Sequence, residues 1–175
     1  MAEPVLAEIT KQVDAIVKSG AVESSNVTQL AEVIGKQFSV KVEEVAVLAL
    51  AHSDKFLRFV VPEKLQKVGD IPMTSTNSLA VRTARDKKPE VINNFAAARH
   101  PTVFEAVPLG SQRGDPIQKI MSAPVTADGK VVGVIQISRK GKTVTGAGAD
   151  FSPKDLGDLV ALANQVGRCL KMYSI

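Results

Sequence analysis

Two apolar segments, Ile117 to Val125 and Lys130 to Arg139, flank Thr126-Ala127-Asp128-Gly129. Asp-Gly between apolar strands is a hairpin signal, because those residues accept the positive φ angles that a tight turn demands. The chain is thereby committed to an antiparallel sheet. A second hairpin is readable upstream, where the nearly unbroken apolar run Val45 to Ala51 and the segment Phe56 to Val61 flank His52-Ser53-Asp54-Lys55.

Helical spacing brackets these strands. Val5, Leu6, Ile9, Val13, Ile16 and Val17 predict a helix over residues 2 to 18, closed by Ser19-Gly20. A second helix is expected over about 25 to 37, capped by Ser24 or Ser25, with Val27, Leu30, Ala31, Ile34 and Phe38 inward. Between the hairpins a helix is expected near 76 to 87, ended by Pro89, then a short strand Glu90 to Asn93. Ser152-Pro153-Lys154-Asp155 announces the last helix, expected to reach about Met172: a serine cap, proline in the first turn and a carboxylate at the third position. Strands in hairpins, one helix between them and others at both chain ends give an α+β domain. Residues 94 to 116 show no period, and so long an irregular segment is usually functional or locally helical.

At 175 residues, 45% of them apolar and 23% charged, the chain suffices for one globular domain. No run is long and apolar enough for a membrane span, and the N-terminus lacks a signal-peptide pattern, so a cytoplasmic protein with no membrane partner is expected. The net charge of +4 is dispersed, and six Phe, one Tyr and no Trp offer few stacking platforms, so no nucleic-acid partner is expected. One cysteine, Cys169, and two histidines, His52 and His100, argue against a metal site. Cys169 falls on the apolar arc of the last helix and is expected to be a buried or interface thiol.

Val68-Gly69-Asp70-Ile71-Pro72, leading into Ser78 through Ile92 with its Lys88-Pro89, resembles the glycine turn, helix and short strand of the GAF domain. Met121 to Val125 with Val131 to Ile137 is similar to that family's late hairpin, and Phe151 to Leu156 to its Phe-x-x-x-Asp opening of the C-terminal helix. The likeness covers residues 25 to 172, with residues 1 to 20 as an extension helix, and treats residues 1 to 175 as one domain. It implies a PAS-related central antiparallel sheet, N- and C-terminal helices on one face and a pocket covered by loop or helix on the other. GAF domains are sensory modules that bind small molecules or serve to dimerise, so the resemblance names no ligand. Bilin attachment needs a cysteine near the pocket, and the family's free methionine sulfoxide reductases need several in relay; a single Cys169 fits neither. Cyclic-nucleotide binders carry Asn-Lys at the end of the late hairpin, where this chain has Arg139-Lys140.

The resemblance implies a salt bridge between Lys140 and Asp155; the bland alternative makes Asp155 a helix-start carboxylate and Lys140 a solvated turn residue. Arg99, His100 and Arg113 lie in the segment that covers the ligand pocket in this family and are candidate anion contacts, or simply surface charges. Arg82 and Arg85 share a helix face, and a solvated stripe paired with Asp86 or Glu90 is the preferred reading. Gln136 and Ser138 alternate with Ile135 and Ile137, so they face either a ligand or water. A catalytic role for His52 would need a nucleophile and an orienting carboxylate that the sequence does not identify, and no enzymatic activity is expected. Leu6, Ile9, Val13 and Ile16 of the first helix, with Leu159, Val166 and Leu170 of the last, suit a four-helix dimer seam; the alternative is that the first helix folds back on its own domain. The expectation is therefore a homodimeric sensory domain that binds a small polar or anionic ligand or a partner protein. The alternative is a structural dimerisation module with a degenerate pocket.

Overall fold

The computed structural model describes residues 3–97 and 115–173. Six strands, β1 (Val45–Ala51), β2 (Phe56–Val61), β3 (Ile71–Pro72), β4 (Glu90–Ile92), β5 (Ile117–Ala127) and β6 (Lys130–Lys140), form one sheet in the order β3-β2-β1-β6-β5-β4. Every neighbouring pair is antiparallel. The β5–β6 turn is tighter than the sequence suggests: Ala127 pairs with Lys130, and only Asp128 (φ 53°) and Gly129 (φ 78°) make the turn. Two consecutive left-handed residues are what a two-residue hairpin loop requires.

Helices α2 (Ser24–Phe38) and α4 (Pro153–Leu170) cover one face, with α1 (Glu3–Ser19) packed against those two, and α3 (Leu79–Asp86) lies on the other. Alternation along each strand divides the core accordingly. Val45, Val47, Met121, Ala123, Ile135 and Ile137 lie on the side of α2 and α4, while Leu48, Leu57, Phe59 and Val134 pack under Ala80, Val81 and Ala84 of α3. Helix α4 comes so close to β5 that a Cβ at Gly167 would lie 1.9 Å from the Thr126 carbonyl oxygen. The expected layering, with N- and C-terminal helices on one side of the sheet, is what the structure shows, and a helix, α3, lies on the other.

The helix ends explain two departures from expectation. Helix α2 is capped at Glu23, whose N–H donates to the Asn26 side chain at 2.9 Å, while Ser24 instead contacts the Tyr173 hydroxyl at 3.2 Å. Helix α3 starts at Leu79, later than residue 76, because the Ser78 hydroxyl accepts the Val81 N–H at 3.2 Å and so fixes the first turn. Helix α4 follows its sequence signal: Ser152 accepts from the Asp155 N–H, and the Asp155 carboxylate accepts from the Ser152 N–H.

The seam residues proposed for a dimer are consumed within one chain. Ile9, Val13 and Ile16 of α1 are buried in the same cluster as Leu159, Val166 and Leu170 of α4, with Leu6 packed at its edge. The wide apolar arc of α4 is satisfied on one side by the sheet and on the other by α1, so the fold-back alternative describes α1. An ion pair from Arg168 to Asp14 at 2.6 Å crosses the outside of that contact. Cys169 is buried, and its burial pushes the thiol up to about 11, so it packs as a small hydrophobe. Among the described residues no helix is long and apolar enough to cross a membrane.

Candidate functional site

Polar groups gather on the α3 face of the sheet. Thr83, Ser122 and Gln136 are 0%, 0% and 4% exposed, and they form a connected chain beneath α3. The Thr83 hydroxyl donates to the Leu79 carbonyl at 2.9 Å, which spends its proton. Ser122 must therefore donate across the 2.6 Å contact to Thr83, and Gln136 donates through Nε2 to Ser122 at 3.2 Å. The chain runs one way, from β6 through β5 into the first turn of α3. Buried polar groups joined like this hold a helix in one position, because displacing it leaves a donor unpaired.

A small cleft opens at the start of that helix. Thr76, Asn77, Ser78, Arg82 and Arg85 supply its polar wall, and Leu79, Ile92 and Phe95 its apolar one. Its volume of ≈ 50 Å³ holds about four waters, at ~10–15 Å³ of such space per water, so a carboxylate-sized group fits and a whole drug-sized molecule does not. Arg82 is committed to Glu90 by two hydrogen bonds of 2.8 and 2.9 Å. Arg85 holds a long 3.4 Å contact to Asp86, with both side chains about half exposed. Phe95, 3% exposed, packs with Leu79 and Ile120 and closes the floor.

Arg99, His100 and Arg113 lie outside the described residues. Gln136 and Ser138 face the α3 side but do not line the cleft; Gln136 belongs to the buried chain, and the Ser138 hydroxyl donates to the Glu44 carbonyl at 3.3 Å. The bridge implied between Lys140 and Asp155 is not formed. Asp155 is occupied with the α4 cap, and half-buried Lys140 sits near Glu44 and Glu43. Burial pushes the Lys140 ammonium down, with Glu44 and Glu43 pulling the other way.

Several interactions were not legible beforehand. Asp70 is the carboxylate that His52 lacked: His52 Nε2 lies 3.0 Å from it, and Arg58 grips it with bonds of 2.6 and 3.0 Å. Hydrogen bonds from Arg58 hold the Asp70 carboxyl below its usual range against the opposing effect of burial, with the Arg58 and His52 charges adding to the lowering. Arg139 stacks its guanidinium 4.3 Å from the centre of the Phe151 ring and donates to the Ala149 and Phe38 carbonyls. Lys119, with a side chain only 4% exposed, reaches the Gly148 carbonyl at 2.6 Å and Asp150 at 2.8 Å. A lysine inside an apolar strand was the one available signal for that clamp. Among the described residues no cluster of three or more His, Cys, Asp or Glu side chains is placed to hold a metal ion.

An antiparallel sheet with α1, α2 and α4 on one side and a short helix over a cleft on the other defines the class as an α+β domain. The sequence profile of the GAF domain matches residues 25–170, and the chain belongs to the GAF family, whose members are generally regulatory or sensory domains. No curated protein matches the sequence. Among solved structures it is similar to the GAF domain from an Acinetobacter phosphoenolpyruvate-protein phosphotransferase, at 14% identity and a TM-score of 0.69, covering 98% of this chain and 95% of that one. It is similar to residues 122 to 287 of a methyl-accepting chemotaxis protein at 15% identity, TM-score 0.67, covering 91% and 94%. A third similar structure is the free methionine-R-sulfoxide reductase from Neisseria meningitidis in complex with its substrate, at 13% identity, TM-score 0.64, covering 98% and 93%. That third likeness corrects the expectation of a chain without enzymatic activity, because enzymes share this fold and the fold gives no ground for excluding one.

Proposed function

We propose that the chain is a regulatory domain that binds a small polar molecule through an anionic group seated at the start of α3. The observation that carries this reading is the cleft, where hydroxyl and amide side chains and Arg85 meet an apolar floor in a space of carboxylate or phosphate size. A guanidinium suits either anion, and the first turn of a helix favours negative charge. Native mass spectrometry of the purified chain tests it: a retained anionic molecule that is lost in Arg85→Ala supports the reading, and a bare chain in both proteins counts against it. A second reading, a structural module with a degenerate pocket, is favoured by Phe95 filling the floor against Leu79 and Ile120. Under that reading Phe95→Ala is simply destabilising and no ligand restores it.

A further inference from the structure

Strand β4 stands between the cleft and the C-terminal helix. Ile92 and Phe95 line the cleft, and Arg82 of α3 holds Glu90 at the other end of the strand. Asn93 lies between Ile92 and Phe95 in sequence and reaches elsewhere. Its amide donates to the Phe151 carbonyl at 3.0 Å and its carbonyl accepts the Phe151 N–H at 2.9 Å. One side chain thus engages both backbone polar groups of Phe151, as a neighbouring strand would. The next residue, Ser152, is the cap of α4, so the Asn93 clamp lies one residue from the start of that helix.

Two other clamps hold the same segment from elsewhere. Lys119 of β5 takes Gly148 and Asp150, and Arg139 of β6 takes Ala149 and the Phe151 ring. Both belong to the long hairpin in the sheet, and neither lines the cleft. Of the three, Asn93 alone is flanked by residues that do.

We propose that Asn93 is the coupling residue of this domain, through which displacement of β4 at the cleft changes the docking of the α4 N-terminus. The two states are a clamp made, with the first turns of α4 docked, and a clamp broken, with those turns frayed; any group that shifts β4 biases the balance. The proposal rests on the ligand reading for what fills the cleft, but the coupling itself is tested without a ligand.

Arg82→Ala frees Glu90 and loosens β4 from α3, and amide hydrogen exchange at residues 155–160 reads the response of α4, with β1 amides reporting global opening. With Asn93 intact, Arg82→Ala is expected to speed exchange at 155–160 about tenfold; in an Asn93→Ala background it should add less than about twofold. In a Lys119→Met background, where a different clamp is gone, Arg82→Ala should keep its full effect. Glu90→Gln weakens the same grip and replaces Arg82→Ala should that protein fail to fold. Equal effects with and without Asn93, or no effect at 155–160 while α3 and β4 amides speed up, would overturn the proposal. A bare chain in mass spectrometry with an intact cycle would defeat the ligand reading alone.

Discussion

The two faces of the sheet are built on different terms. Under α2 and α4 the core is mainly apolar, with Leu159 and Leu162 in one cluster with Met121, Ile135 and Ile137, and with Ile9 and Val13 of α1 buried in the same cluster. Under α3 a shorter helix sits partly on aliphatic side chains and partly on a chain of hydroxyl and amide groups. Apolar contact is non-directional and accumulates with area, whereas a hydrogen-bonded chain contributes little net energy and enforces one arrangement. The first face supplies stability. The second supplies a defined position for α3.

The largest expected effect belongs to the apolar face: Leu162→Ala should cost about 2–5 kcal/mol in urea unfolding, because packed neighbours on both sides leave a cavity that cannot collapse. Thr83→Val should cost about 1–3 kcal/mol by leaving the Ser122 hydroxyl without its acceptor, and adding Ser122→Ala should return none of that loss, because the unpaired donor then becomes the buried Gln136 amide. If Thr83→Val costs as much as Leu162→Ala, the division between the faces is wrong. Asp70 belongs to neither face and sharpens the comparison through pH. Its carboxyl is held below its unfolded value, so its contribution is full above that ordinary value and is lost as pH falls through the lowered one. Asp70→Asn should therefore remove about 1 kcal/mol at neutral pH and flatten the acid limb of the stability curve. The smallest effect is expected of Arg168→Ala, at most about 0.5 kcal/mol by thermal unfolding, because its pair with Asp14 is half exposed and salt-screened.

What was legible in the sequence follows from the same contrast. Periodicity reports apolar faces, so β1 and β2 were readable residue for residue, and α1 and α4 to within two or three. The partner of such a face is a different matter, since a stripe says that something covers it and not what; α1 covering α4 within the chain is a tertiary fact. Polar contacts were the least legible. Lys140 and Asp155 looked like a pair because a family pattern joins them, but each had a nearer neighbour, Glu44 for one and the Ser152 N–H for the other. Asn93 to Phe151 spans 58 residues, and His52 to Asp70 depends on three successive left-handed residues, His52, Ser53 and Asp54, that turn the β1–β2 loop. Nothing in local composition encodes such distances.

The close approach at Gly167 decides what kind of motion α4 can make. Its backbone rests against the Thr126 carbonyl, and Val166 and Arg168 on either side carry the Cβ atoms that cannot occupy that point. Sliding along β5 by one residue is therefore blocked, whereas the opposite end is tied by hydrogen bonds that can be remade. Under the proposed coupling the helix would turn about its C-terminal end, with its long arm ending at Ser152. On that coupling a small displacement at β4 would become a change of the angle of α4 and not a translation along β5.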